Sequence, residues 1–127
     1  MTYVRDSNKT VEQAVAAIEE AAQRHGFGVL HTYDLKAILD AKGFAMPNAC
    51  RILEVCKPDL ASEILQRDMT INLALPCRIS VFEDGGRTRV GMIRPTLLLG
   101  LISDSEELRK VAGDVESTIE AMIDEAL

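Results

Sequence analysis

The residues best suited to chemistry in this chain are its cysteines, all of which lie between Ala49 and Val81. Cys56 ends one apolar stretch with the composition of a strand, and Cys77 begins another after a loop that closes with Leu75 and Pro76. In an antiparallel pair, the end of the first strand lies beside the start of the second. We therefore expect Cys56 and Cys77 to approach each other in one small pocket.

Two neighbouring thiols can form a reversible disulfide, carry sulfur or bind a soft metal ion. Cys56 precedes a short helix, and the positive end of that helix together with Lys57 and Arg78 favours the thiolate. Glu54 lies two residues before Cys56 and so on the same strand face, where its carboxylate can orient a ligand or accept a proton. These four residues and Cys77 form the expected ligand-binding site, with no cofactor, metal ligand or catalytic residue assigned.

A structural interpretation of the same residues stays open. Unpaired cysteines are among the most buried residue types and pack like small hydrophobic groups, which is the role we assign to Cys50. Glu54 can instead be a strand carboxylate paired with Arg51 or Arg78. The sequence contains no phosphate-binding loop, no His-Glu-x-x-His and no Gly-x-Ser-x-Gly motif. A nucleophile at Cys56 would need a base, and none stands at a suitable spacing.

The composition is that of one domain spanning residues 1–127, with 27% charged and 47% hydrophobic residues. The net charge is −6 and the 14 basic residues are scattered, so no basic stripe is available to neutralise nucleic-acid phosphates. The chain has no Trp, two Tyr and three Phe, which leaves no platform for stacking bases. We therefore expect no nucleic-acid partner.

Membrane association is not expected either. The first residues reach a charge at Arg5 without building an apolar signal segment, and the longest apolar stretch, Thr96 to Ile102, is shorter than the roughly 20 residues that cross a bilayer. Three cysteines without a Cys-x-x-Cys pair fit a reducing compartment. We therefore expect a cytoplasmic protein.

Two amphipathic helices are predicted near the ends of the chain. Thr10 and Gln13 form a capping box at the start of the first helix. Its apolar residues recur at helical spacing: Val11, Ala14, Val15, Ile18, Ala21 and Ala22. The last helix begins within Ser103 to Glu107 and reaches the C-terminus with a stripe made of Leu108, Val111, Ala112, Val115, Ile119, Met122, Ile123 and Ala126.

Strands and short helices are predicted between these two helices. The strand Phe27 to Tyr33 has apolar residues on both faces and is expected in the interior of the sheet. The strands Cys77 to Glu83 and Thr88 to Ile93 flank a glycine-containing turn typical of a hairpin. A helix begins at Pro58, and the residues from Pro95 to Ile102 form an apolar loop or a single helical turn.

Three blocks of sequence resemble the signature of a known family. They are His25 to Leu30 (HGFGVL), Arg51 to Pro58 (RILEVCKP) and Leu75 to Phe82 (LPCRISVF), and together they resemble the domain of unknown function 302 family along nearly the whole chain. The family typically has Asn between the Cys and the Pro of the second block, where Lys57 stands here and adds a charge beside Cys56.

The resemblance implies an α+β fold of the type β-α-β(4)-α, TATA-box-binding-protein-like, with a curved antiparallel sheet and helices on one face, commonly in a homodimer. It implies no established activity. It places Cys56 and Cys77 in the two cysteine-bearing blocks of the family. The name of the fold does not suggest DNA binding, because function depends on the site and not on the architecture.

Two hypotheses of different classes follow. In the first, the protein is a small dimer whose pocket at Cys56 and Cys77 binds a small molecule, a sulfur species or a soft metal. In the second, it is a non-catalytic dimerisation or protein-interaction module with structural cysteines, and it docks its partner through the open sheet face or the segment from Leu97 to Ile102. An enzyme acting through Cys56 is a third and weaker hypothesis.

Overall fold

The computed structural model describes all residues from 1 to 127. The strands are β1 (Thr2–Ser7), β2 (Gly28–Asp34), β3 (Cys50–Cys56), β4 (Cys77–Asp84) and β5 (Arg87–Ile93). The helices are α1 (Val11–Arg24), α2 (Leu35–Ala41), α3 (Pro58–Arg67), α4 (Pro95–Gly100) and α5 (Glu106–Ala126), with a 3₁₀ helix at Met69–Ala74 between α3 and β4.

The five strands form one antiparallel sheet in the order β1-β5-β4-β3-β2. The predicted hairpin of β4 and β5 is confirmed. Beside it, β1 closes onto β5 at Gly91, where an added Cβ atom would lie 2.8 Å from Cγ2 of Val4. Any larger residue would force these two strands apart, because heavy atoms do not approach so closely.

Helices α1 and α5 pack against each other and against one face of the sheet. The capping box of α1 is present: the Thr10 hydroxyl accepts a hydrogen bond from the backbone N–H of Gln13, and the Gln13 side chain accepts one from the backbone N–H of Thr10. All six residues of the predicted apolar stripe of α1 are buried. Helical periodicity alone therefore identified the buried face of this helix.

The prediction for β2 is wrong: this strand lies at the edge of the sheet and contains no buried residue. A bulge between Val29 and His31 leaves Leu30 without a partner on β3, and the Leu30 residue is 60% exposed. Apolar residues on both faces indicate an interior strand only where successive side chains point regularly to opposite faces of the sheet. The bulge interrupts the alternation here and turns Leu30 towards solvent.

The buried apolar residues form two separate clusters. The larger one joins α1 and α5 to the helix-covered face of the sheet and includes Ile18, Leu53 and Ile79. The smaller one gathers α3, the 3₁₀ helix, α4 and the first part of α5, with Ile64, Ile71, Leu99, Leu108 and Ala112 at its centre. No helix of the protein has the length and apolar character needed to cross a membrane.

Candidate functional site

A cavity of about 470 Å³ lies between the two hydrophobic clusters. It begins at the end of the sheet where β3 ends, β4 begins, β5 ends and β1 begins, and it extends along β4 as far as Phe82. Of the 26 residues that line it, 19 are hydrophobic. The cavity is partly open to solvent, as concave ligand-binding clefts usually are.

Helix α3 supplies one wall of the cavity. Pro58 occupies the first turn, where its missing N–H has no intrahelical partner to lose. Leu60, Ala61 and Ile64 then project into the cavity from adjacent positions of the helix surface. The wall is therefore the apolar face of a short amphipathic helix.

Helices α4 and α5 complete the apolar lining. Most of the segment from Pro95 to Ile102, expected as a loop or helical turn, forms α4 (Pro95–Gly100), which contributes Leu98 and Leu99 to the cavity. Val111 and Val115 of α5 were predicted in the core stripe, yet they are only partly buried because they line the cavity. The stripe of α5 thus serves both the core and the cavity wall.

Both cysteines of the expected site line this cavity. Strands β3 and β4 pair antiparallel as expected, but Cys77 lies opposite Val55 and not opposite Cys56. Because side chains alternate along a strand, Cys77 belongs to the helix-covered face, whereas Cys56 belongs to the uncovered face. The cavity extends around the end of the sheet, which is how it includes residues of both faces.

The thiols are held in the protonated form. Burial, with a smaller contribution from Cys56, raises the pKa of Cys77 to about 11. Burial and the nearby Asp59 carboxylate raise the pKa of Cys56. The expectation that the start of α3 together with Lys57 and Arg78 favours a Cys56 thiolate is therefore wrong, because desolvation and the Asp59 carboxylate both favour the protonated thiol.

Lys57 and Arg78 are the only charged residues that line the cavity, and both are exposed to solvent at its rim. Neither side chain takes part in a salt bridge of the protein. No Asp or Glu belongs to the lining. The cavity therefore combines an apolar interior with two unpaired positive charges, in a protein of net charge −6.

Glu54 is the expected site residue that the structure does not bring to the cavity. It lies on β3 between His31 of β2 and Arg78 of β4. A hydrogen bond with the Glu54 carboxylate raises the pKa of Tyr33, whose ring packs edge-on against His31 at a centroid distance of 4.3 Å. Glu54 thus belongs to a polar cluster on the uncovered sheet face.

No group of three or more His, Cys, Asp or Glu side chains is arranged to hold a metal ion. Thiols bind soft metals as thiolates, and both cavity thiols have raised pKa values. The arrangement can enclose an apolar molecule, with an exposed cation, Lys57 or Arg78, at two separate places of its lining.

Much of the cavity lining was not found by sequence reasoning. The missed residues come from β1, the 3₁₀ helix and α4, and include Val4, Ile71, Ala74, Leu98 and Leu99. The proline at the start of α4 was the one available signal, since Pro favours the first turn of a helix. The 3₁₀ helix has no apolar period from which a wall could be predicted.

Comparison with known proteins supports the resemblance seen in the sequence. The model of the family described as "Domain of unknown function DUF302" matches residues 3–126. This chain belongs to the DUF302 family. Among solved structures, it is similar to an uncharacterized conserved protein DUF302 from Bacillus stearothermophilus, with a TM-score of 0.94 and 30% sequence identity. The match covers 99% of this chain and 98% of that one.

The DUF302 fold expected from the resemblance is confirmed. It is an α+β structure with an open, curved antiparallel sheet and helices on one side. Relative to the β-α-β(4)-α pattern, the short helices α2, α3 and α4 are additional, and α3 and α4 form cavity walls. A search of the curated proteins finds no match.

Proposed function

We propose that this DUF302 protein binds a small, largely apolar molecule in the cavity at the end of β3 and β4. The observation that carries the proposal is the cavity itself, with its volume of about 470 Å³ and its 19 hydrophobic lining residues. Pockets that enclose drug-sized ligands typically measure about 300–1,000 Å³ and are lined mostly by apolar side chains with a few polar groups.

In this proposal Cys56 and Cys77 form part of the cavity wall. Cys77 packs against the larger hydrophobic cluster, and its raised pKa keeps the thiol neutral. A neutral thiol is a small, polarisable apolar group and contacts hydrocarbon or aromatic rings favourably. Ligand binding through thiol contacts is supported better than sulfur transfer or soft-metal binding, because both of these require a thiolate.

The proposal is tested with N-phenyl-naphthylamine, a neutral dye whose fluorescence rises in apolar surroundings. We expect saturable binding of one dye per chain at micromolar concentration. Native mass spectrometry of the freshly purified protein is expected to show, in addition, any molecule retained from the cell. Absence of saturable dye binding by the folded protein would contradict the proposal.

A homodimer is a second candidate, favoured by the position of β2. An edge strand presents a row of unpaired backbone N–H and C=O groups, and charged side chains commonly protect such edges from pairing. The part of β2 from Leu30 to Tyr33 lies at the edge of the sheet and contains no Lys, Arg, Asp or Glu. Leu30 and Tyr33 are 60% and 38% exposed, and Phe44 in the loop after α2 is 69% exposed. We propose that a second copy covers this edge.

The dimer is tested by the Leu30→Lys substitution. Lysine at an edge strand disfavours pairing, and the site is exposed, so we expect the dimer to dissociate at least about ten-fold more readily with stability changed by no more than about 0.5 kcal/mol. Leu73→Lys, at a residue that is 77% exposed on the 3₁₀ helix, is the matched control. Light scattering after size-exclusion chromatography gives the mass of each variant. A wild-type monomer, or a Leu30→Lys variant that stays dimeric, would refute this arrangement.

We also propose that the protein is cytoplasmic. All three cysteines are free thiols, as is usual for proteins of reducing compartments.

A further inference from the structure

We infer that Glu116 of α5 positions the α4 wall of the cavity, so that binding of an apolar molecule depends on a carboxylate that does not itself line the cavity. This inference rests on the proposed function, since it concerns a wall of the same cavity. Leu98 and Leu99 of α4 contribute to the lining, and they do so only while α4 stays in its place beside α5.

Helix α4 is too short to be stable on its own. It contains six residues, Pro95–Gly100, whereas isolated helices shorter than about 12–15 residues are marginal in water. Arg94 precedes the helix and makes no side-chain capping hydrogen bond. The backbone N–H of Thr96 lies in the first turn, where such groups have no acceptor within the helix. The place of α4 in the structure therefore depends on contacts with other elements.

Glu116 supplies an acceptor for this N–H from α5. Its Oε1 atom accepts hydrogen bonds from the Thr96 backbone N–H at 3.2 Å and from the Thr96 hydroxyl at 2.7 Å. These are the side-chain hydrogen bonds that connect α4 to another element, and the Glu116 side chain is only 15% exposed to water. Val115 and Ile119 of the same helix line the cavity, so Glu116 fixes α4 beside the adjoining wall.

A second carboxylate of α5 engages the residue before α4 and not α4 itself. Nη1 of Arg94 lies 2.5 Å from Oε1 of Glu120 and 3.5 Å from Oε2 of Glu116. The Arg94 backbone N–H donates to the Met1 carbonyl at 2.9 Å, at the end where β1 pairs with β5. Glu116 and Glu120 thus lie one helical turn apart and share Arg94, but only Glu116 forms hydrogen bonds with α4.

The inference is tested by titrating the Glu116→Ala variant with N-phenyl-naphthylamine. Without the carboxylate, the dye binds tightly only to the fraction of molecules in which α4 is in place, and the apparent affinity falls with that fraction. We expect affinity at least about ten-fold below that of the wild type, because two charge-assisted hydrogen bonds are lost. The emission maximum of the bound dye is expected to move to longer wavelength, because water reaches the cavity where α4 is displaced.

Two further variants separate a positioning role from a general loss of stability. Glu116→Gln keeps an oxygen that accepts from Thr96, so we expect it to bind the dye within about three-fold of the wild-type affinity. Glu120→Ala removes a carboxylate from the same helix and the same arginine, leaves the bonds to α4, and is expected to bind the dye as the wild type does. Hydrogen exchange at the Leu98 and Leu99 amides is expected to be faster in Glu116→Ala alone.

Wild-type dye affinity in Glu116→Ala, or an equal loss of affinity in Glu120→Ala, would overturn the inference. If Glu116→Ala does not fold, Thr96→Val tests the same contact, because it removes the hydroxyl donor and keeps the backbone donor. An affinity loss of about three-fold or more is then expected, and unchanged affinity would refute the role of Glu116. Either refutation, with the dye still bound by the wild type, leaves the proposed function intact. Absence of saturable dye binding by the wild type refutes the proposed function itself.

Discussion

The Ala61→Leu substitution is expected to weaken dye binding at least about ten-fold while raising the free energy of unfolding by about 0.5–2 kcal/mol. Ala61 lies on the cavity face of α3, between Leu60 and Ile64. A larger apolar side chain at this position occupies the space the ligand needs. It also removes apolar surface from water within the cavity, which is why stability is expected to increase as binding is lost.

Fluorescence titration and thermal unfolding together check this prediction. Ala37→Leu is the matched control, because Ala37 is exposed on α2 and does not line the cavity. Ala74→Leu, on the 3₁₀ helix, tests a second part of the cavity lining. Binding by both cavity variants, Ala61→Leu and Ala74→Leu, at wild-type affinity would show that the dye occupies some other site.

A second large effect concerns pH. Between pH 8 and pH 10, the free energy of unfolding is expected to fall by about 1.3 kcal/mol more in the wild type than in a Cys77→Ala variant. The pKa of Cys77 is raised from 9.0 to about 11 in the folded protein, so the folded state retains the proton while the unfolded chain releases it. Because the pKa of Cys77 is higher in the folded state, the thiol contributes stability that is fully present below the unfolded-state pKa. This contribution is lost as the pH rises through the window from about 9 to 11.

Urea unfolding of both proteins at several pH values measures this difference, and subtraction removes the titration of groups common to the two.

Alkylation of Cys77 by iodoacetamide provides a kinetic readout. At pH 8 the thiolate fraction of Cys77 is about 100-fold smaller in the folded protein than in the unfolded chain. The greater nucleophilicity of a thiolate of high pKa offsets about ten-fold of this difference in the alkylation rate. We expect alkylation at least about ten-fold slower in the folded state. Equal rates in both states would show that the thiol is not held neutral.

Local patterns in the sequence were sufficient for most secondary structure. The capping box at Thr10 and the stripe of α1 were predicted correctly, because helix termini and buried helix faces follow from residues only three or four positions apart. The β4-β5 hairpin was also predicted correctly, because the turn between Asp84 and Arg87 determines its pairing locally. The error at β2 has the opposite cause: whether a strand is interior depends on the strands beside it.

The candidate site was predicted only in part. Cys56, Cys77, Lys57 and Arg78 were named from their positions at two strand ends, and all four line the cavity. Glu54 was included because it shares a strand face with Cys56, yet its carboxylate is engaged by Tyr33 of β2 and does not line the cavity. The protonation state of Cys56 was also predicted incorrectly, because desolvation depends on the surroundings that the fold creates.

The fold class was implied by the resemblance of three sequence blocks to the DUF302 family. By themselves the local patterns of the sequence determined the two principal helices, the β4-β5 hairpin and the strand ends that hold the candidate site. Those features depend on periodicity, caps and turns, which act between near neighbours in the chain. The tertiary structure alone decided that α3, the 3₁₀ helix and α4 pack as a second cluster and leave a cavity beside the first. A cavity is the space between elements distant in sequence, so its volume, its lining and the pKa of Cys77 follow only from how those elements pack.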